Sequence, residues 1–303
     1  MNRGPIAMIL LFFWCVNLLP STAKAQLSGD GTNVGYIDSA PLRNQARFRY
    51  DAAYGNTIPD WGEFFYPKCG CLPNAPGPPL AETNVDYQEF RLHFEHVLAE
   101  NLFSVFAELP FRVVNPTVNR NAGGISDINA GVKVSLYDDT QQNLTFQFRT
   151  YLPTGDGSRG LGNEHVSLEP AVLYLRRLSE RTTLETELRD FIPIGGTDNW
   201  PANVLRYGVG ISHLMYDGDH AQISPVAEAV GWSMLNGRGL DVATGPRDTE
   251  TTIVNLKLGA RIGFGRATRS GTPGRSLYVG YGRSLTGTRW YDDVFRAEVR
   301  VLY

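Results

Sequence analysis

Phe90-Arg91-Leu92-His93-Phe94 sets Phe90, Leu92 and Phe94 on one side of an extended backbone, with Arg91 and His93 on the other. Successive side chains of a strand point to opposite faces, so this period of two marks a strand with one apolar and one polar face. The period recurs down the chain. Val105, Ala107, Leu109, Phe111 and Val113 alternate with Phe106, Glu108 and Arg112. Ile128, Ala130, Val132, Val134 and Leu136 alternate with Asn129, Lys133 and Ser135. Leu144, Phe146 and Phe148 oppose Thr145, Gln147 and Arg149, and Val254, Leu256, Leu258, Ala260 and Ile262 oppose Asn255, Lys257 and Arg261. No segment sustains the i, i+3, i+4, i+7 apolar spacing of a helix. Strands are expected at 44–53, 85–97, 102–113, 127–137, 143–153, 166–178, 182–194, 204–215, 221–233, 252–264, 276–285 and 293–303.

Most of these segments are long enough to cross a bilayer at a tilt, which takes about 9–11 residues. Strands of soluble domains run to about 5–6. Long and short connections alternate, as in outer-membrane barrels with short periplasmic turns and longer external loops. The long first loop, 54–84, begins that alternation, and only the late connection 265–275 breaks it. The fold expected is therefore all-β: a single antiparallel transmembrane β-barrel of about twelve strands, with ten or fourteen as alternatives. A secreted soluble β-sandwich also explains alternation, since one face packs and one is wet. It accounts less well for strand length and loop asymmetry.

Composition is compatible with this. The 303 residues carry 28 Lys and Arg, 31 Asp and Glu and three Cys. A pI near 6.0 without a basic block argues against a nucleic-acid partner. Residues 1–25 read as a secretory signal: Arg3, an apolar run from Ile6 to Leu19, then Ala23-Lys24-Ala25 as a cleavage site. Residues 26–43 are expected to be a periplasmic lead-in or partial plug, and 44–303 the barrel. Cys69-Gly70-Cys71 lies in a Pro/Gly-rich stretch of the first loop and is expected to form a loop disulfide in an oxidising envelope, with reduced cysteines or disulfides to a partner as the alternatives. No histidine nearby completes a metal set, and no cofactor is expected.

In a barrel the polar face points into the lumen. The inward charges are then Arg91, Glu95, Glu108 and Arg112, followed by Lys133, Arg149, Glu187 and Arg189, and then Arg206, Glu228, Lys257 and Arg261, with His93, Glu169, Glu185, Arg296, Glu298 and Arg300 beside them. Both signs are mixed, and isolated buried charges are costly, so ion pairs between neighbouring strands are expected. Twelve tilted strands enclose a tube about 24 Å across, and side chains fill about half of it. That leaves a narrow polar channel or a nearly filled plug. Trp232, Trp290, Tyr291 and Tyr303 are expected in the aromatic girdles at the membrane boundaries.

Three stretches carry a family likeness. Gly124-Ile-Ser-Asp127-Ile-Asn-Ala-Gly131-Val-Lys133 begins a strand, and Leu152-Pro-Thr-Gly-Asp156 ends the next. Gly162, then Leu168-Glu169-Pro170, opens a third strand that closes on Arg177-Leu178. In that order, over roughly Val85 to Tyr303, the chain resembles the outer-membrane proteins of the meta-pathway of phenol degradation, a family of barrel transporters. The resemblance implies a Gram-negative outer-membrane barrel passing aromatic or other small hydrophobic compounds. It brings no catalytic or ligand-binding residue with it, and the long first loop departs from the family's plainer pattern.

The function expected is a porin-like channel for small solutes, with loops 54–84 and 234–251 as gates. Its partners are outer-membrane lipid, a small-molecule solute, and the barrel assembly machinery through the final strand ending at Tyr303. A non-conducting structural or adhesive barrel is the second reading. A third is an outer-membrane hydrolase, because His165-Val166-Ser167 puts a histidine and a serine on one side of a strand.

Overall fold

The computed structural model describes residues 32–303 apart from 100–101, 198, 249–250 and 265–273. The expected signal segment, and residues 26–31 of the lead-in, lie outside the described residues. Twelve long strands build a wall: β1 (Gln45–Tyr54), β2 (Val85–Leu98), β3 (Phe103–Pro116), β5 (Asn129–Asp138), β6 (Gln142–Tyr151), β7 (Val166–Arg177), β8 (Thr182–Ile194), β9 (Val204–His213), β11 (Ala221–Met234), β14 (Thr251–Phe264), β15 (Arg275–Ser284) and β16 (Asp293–Leu302). Four short strands complete the set: β4 (Ala122–Ile125), β10 (Tyr216–Asp217), β12 (Arg238–Asp241) and β13 (Gly245–Asp248).

Every wall strand runs antiparallel to its neighbours, and β1 pairs with β16 to close the sheet, with Gln45 opposite Leu302, Arg49 opposite Glu298 and Tyr54 opposite Asp293. Closure leaves no unpaired edge, which a bilayer requires because lipid offers no hydrogen bonds to exposed backbone. No helix among the described residues is long and apolar enough to cross a membrane.

The distribution of polarity is inverted relative to a soluble domain. Leu188 is 51% exposed and Leu258 54%, whereas Arg189 and Glu228 are each 1% exposed. Apolar side chains thus face outward, as lipid demands, and the charges fill the interior. The alternation in sequence sets this register, since a slip of one residue would turn every charge to lipid.

The connections 99–102, 139–141 and 178–181 lie at one rim, and the longer 55–84, 152–165 and 195–203 at the other. Strand β3 divides its far edge between two partners. Phe103–Glu108 pair with β5, and Phe111–Val114 pair with β4. The chain leaves the wall between them at Ser126–Ile128.

Candidate functional site

The short-turn half of the lumen is filled by the chain itself. Residues 32–43 enter beside the start of β1, rise to an apex at Tyr36-Ile37-Asp38 and descend again, without regular structure. Such a segment must find partners for its buried backbone groups, and the wall charges supply them. The Glu228 carboxylate accepts the amides of Gly35, Tyr36 and Ile37 at 2.9 Å each. Glu187 accepts the Asp38 amide at 2.8 Å, and Glu95 the Arg43 amide at 3.3 Å. Cations take the carbonyls. Arg206 donates to Tyr36 at 2.6 Å, Arg296 to Gly35 at 2.5 Å, Arg261 to Val34 at 2.9 Å and Lys133 to Ser39 at 3.2 Å.

The wall is also shaped for the loop. A Cβ on Gly208 would stand 2.4 Å from an Ile37 methyl, and one on Gly210 would stand 2.7 Å from a Val34 methyl. Both glycines sit on the inward face of β9, where a larger residue would force the loop or the wall to shift.

The wall charges also pair with one another in several separate networks. Asp38, at the loop apex, receives Arg149 at 2.7 Å and Arg189 at 2.9 Å. Arg189 also reaches Glu169 at 2.9 Å and pairs with Glu187. Arg91 bridges Glu89 and Glu108, and Arg112 holds Glu89 at 2.7 Å. Lys133 pairs with Glu95 at 3.1 Å, and Arg261 with Glu298 at 2.9 Å. Arg296 grips Asp51 through two nitrogens at 2.6 and 2.7 Å.

The other rim carries a cap. Loop 55–84 folds inward, and Trp61 and Phe64 pack against Trp290 in tilted contacts at centroid distances of 5.5 and 5.3 Å. Glu63 is fully buried there, accepting the Lys68 amide at 3.0 Å and the Thr197 hydroxyl at 2.9 Å. Cys69 and Cys71 are joined by a disulfide within this loop. Asp60 accepts the Leu240 amide at 3.2 Å, which ties the cap to the β12–β13 hairpin. Burial, with a smaller push from Glu63, raises the Asp60 carboxyl to about 7.

Between loop apex and cap lies a cavity of about 200 Å³. Of the predicted inward charges, Arg91, Glu108, Arg112, Arg149, Glu169, Arg189, Arg206, Lys257 and Arg296 line it. Glu95, Lys133, Glu187, Glu228 and Arg261 instead hold the inserted loop or the pairs beside it. Arg49 and Asp51 also line the cavity, although they were not among the predicted inward charges. Their signal was present in β1, where Gln45, Arg47, Arg49 and Asp51 alternate with Ala46, Phe48, Tyr50 and Ala52.

One expectation requires correction. Trp232, Trp290 and Tyr291 are not girdle residues: they are 6%, 5% and 6% exposed and belong to an interior cluster with Tyr36, Trp61 and Met234. Near the cap the inward face is itself apolar, so an aromatic there packs against the folded loop rather than against lipid. Tyr303 is 41% exposed and stacks on His96.

The family-like motifs meet in space. Asp127 accepts the Gly155 amide at 3.0 Å and the Asn163 amide at 2.8 Å. Thr154 donates to the Ser126 carbonyl and accepts the Ile128 amide. A Cβ on Gly162 would lie 2.5 Å from the Asp127 carboxylate. The three stretches therefore form a structural clasp at the gap between β4 and β5. His165 and Ser167 both line the cavity, but the Nδ1 of His165 meets the Asn163 carbonyl at 2.8 Å. Among the described residues no hydrogen bond joins His165 to Ser167.

Solved structures share this architecture. An outer membrane channel from Pseudomonas putida F1 superposes with a TM-score of 0.57 at 12% identity, over 90% of this chain and 100% of its own. The NanC porin does so with a TM-score of 0.51 at 12% identity, over 85% of this chain and 100% of its own. The fold is that of outer-membrane β-barrels. No family model and no curated protein matches the chain. At such low identity the likeness speaks for the barrel wall and its closure, and leaves the contents of the lumen to be read from this chain alone.

Proposed function

We propose that this chain is an outer-membrane channel for small solutes, opened by displacement of the loop 32–43 and the cap 55–84. The observation that carries the reading is the way the inserted loop is held. Its backbone bonds to wall side chains, while the wall's own ladder is complete without it. The loop can leave, therefore, without breaking the barrel. The cavity gives a solute a resting place between two movable barriers. Its aromatic lining, with Phe64, Phe65, Tyr87 and Trp290, supports aromatic or other small hydrophobic solutes as the passengers. The same reading takes residues 1–25 as the export signal, Tyr303 as the end of the strand that engages the assembly machinery, and the phenol-degradation meta-pathway barrels as the family.

Planar-bilayer recording of the purified, refolded chain tests this. Small steps are expected from the wild type, and larger and more frequent ones from a variant lacking residues 32–41. Silence from both, when each is shown to be folded, overturns the channel in favour of a structural barrel. The filled lower lumen is the observation that favours this second reading.

A further inference from the structure

The cavity wall holds eight basic side chains, and seven are arginines with a carboxylate oxygen within 4.0 Å. Lys257 is the exception: among the described residues no carboxylate comes that close to it. Its Nζ donates to the Tyr291 hydroxyl at 3.0 Å and lies 3.9 Å from the Tyr36 ring centroid and 5.2 Å from that of Trp232. Lys257 is 4% exposed. Glu228, opposite Lys257 in the β11–β14 ladder, and Asp51 act on it only from beyond 4.0 Å. A buried ammonium with no acid in contact is costly, and ring faces offset only part of that cost. Two further buried groups of the same aromatic cluster, the Tyr36 hydroxyl and the Trp290 indole N–H, have no hydrogen-bond partner among the described residues.

We propose that Lys257 seats the carboxylate of a small planar organic anion in this cavity. Among the described residues of the cavity wall this is the one amine with no acid in contact, so it matches one negative charge, which would stabilise its protonated form. A phosphate would call for the forked donors that the neighbouring arginines have already committed to acids. The ring faces of Phe64, Trp290 and Tyr291 take a flat apolar body, and the volume of about 200 Å³ suits a single-ring acid. This deepens the channel reading and rests on it for the route by which the ligand arrives. It departs from a purely hydrophobic passenger, because charge becomes a requirement.

Isothermal titration of the refolded chain in detergent with benzoate, phenol, acetate and glucuronate tests the site. Benzoate is expected to bind at one site about tenfold or more tighter than each of the others, and Lys257→Met to erase that preference, as loss of a charge-assisted bond implies. Equal affinity for benzoate and phenol removes the role of charge, and equal affinity for benzoate and glucuronate removes the role of the ring. Either result overturns the proposal, as does a folded Lys257→Met that binds benzoate like the wild type. Should the variant not fold, the wild-type series decides alone. Bilayer recording on the same sample separates the two readings. A conducting chain that ignores benzoate sinks this site and keeps the channel, whereas a silent chain that binds benzoate sinks the channel and keeps the site.

Discussion

Glu228 holds the backbone amide of Tyr36 with both carboxylate oxygens, at 3.2 and 2.9 Å, while the same two oxygens take the amides of Gly35 and Ile37. Three consecutive N–H groups converging on one anion form a cradle of the kind that binds free anions elsewhere. Here the anion belongs to the wall.

Glu228→Gln should therefore loosen the apex. The amide keeps one acceptor but turns an NH₂ toward backbone donors, at a cost of about 1–3 kcal/mol. The expected result is a rise of about tenfold in open probability in bilayer recordings, with an unchanged thermal transition of the wall strands. An unaltered open probability would remove the apex from gating.

Gly208→Val approaches the same loop without touching any charge. Its Cβ would stand 2.4 Å from the Ile37 methyl, so the loop must shift or the wall must bulge. Overpacking of this kind costs about 1–3 kcal/mol. Larger conductance steps are expected, together with faster proteolytic cleavage between residues 32 and 43.

Arg189 is 1% exposed and serves Asp38, Glu169 and Glu187 at once. Arg189→Met takes one cation from three carboxylates, leaving Asp38 and Glu169 to Arg149 alone and Glu187 to Arg206, and breaking buried pairs in this way costs about 3–5 kcal/mol. The variant should refold poorly and show a lowered Tm in detergent. An exposed pair such as Arg238–Asp248 should tolerate the equivalent change with little effect.

The cap should respond to pH through Asp60. Its carboxyl is raised to about 7 when docked, so the docked loop holds the proton more tightly than a free loop does. Docking is then strongest at or below the ordinary carboxylate range and weakens as pH climbs toward about 7. Conductance measured from about pH 5 to pH 8 should rise with pH in the wild type and stay flat in Asp60→Asn.

The wall was legible because lipid and lumen impose opposite polarities on alternate residues, and β7 and β8 read from 166 and 182 just as they fold. Polarity failed as a guide where the cap packs into the lumen. Trp232 follows Glu228 and Val230 on one inward face, yet only contact with the folded cap makes that face apolar. The segment Thr32–Arg43 has no period to read, since its backbone, rather than its side chains, makes most of its bonds. Its trace lay in the wall: Gly208 and Gly210 are small residues on a face otherwise given to large charges. Pairing was predictable in kind, but which cation stays unmatched depends on three-dimensional neighbours, so Lys257 could not be told from Arg149 or Arg261.

Asn44 is the only residue between Arg43, at the foot of the inserted loop, and Gln45, the first residue of β1. It is pinned on both sides, its side chain accepting the Val97 amide at 2.7 Å and its carbonyl the Tyr303 amide at 3.0 Å. A stopper on so short a leash never diffuses away. Its local concentration at the empty lumen stays in the millimolar range or above, so each departure is followed by rapid recapture. Current through this barrel should accordingly arrive as flicker, in brief bursts whose duration reports the return of the loop rather than the transit of the solute.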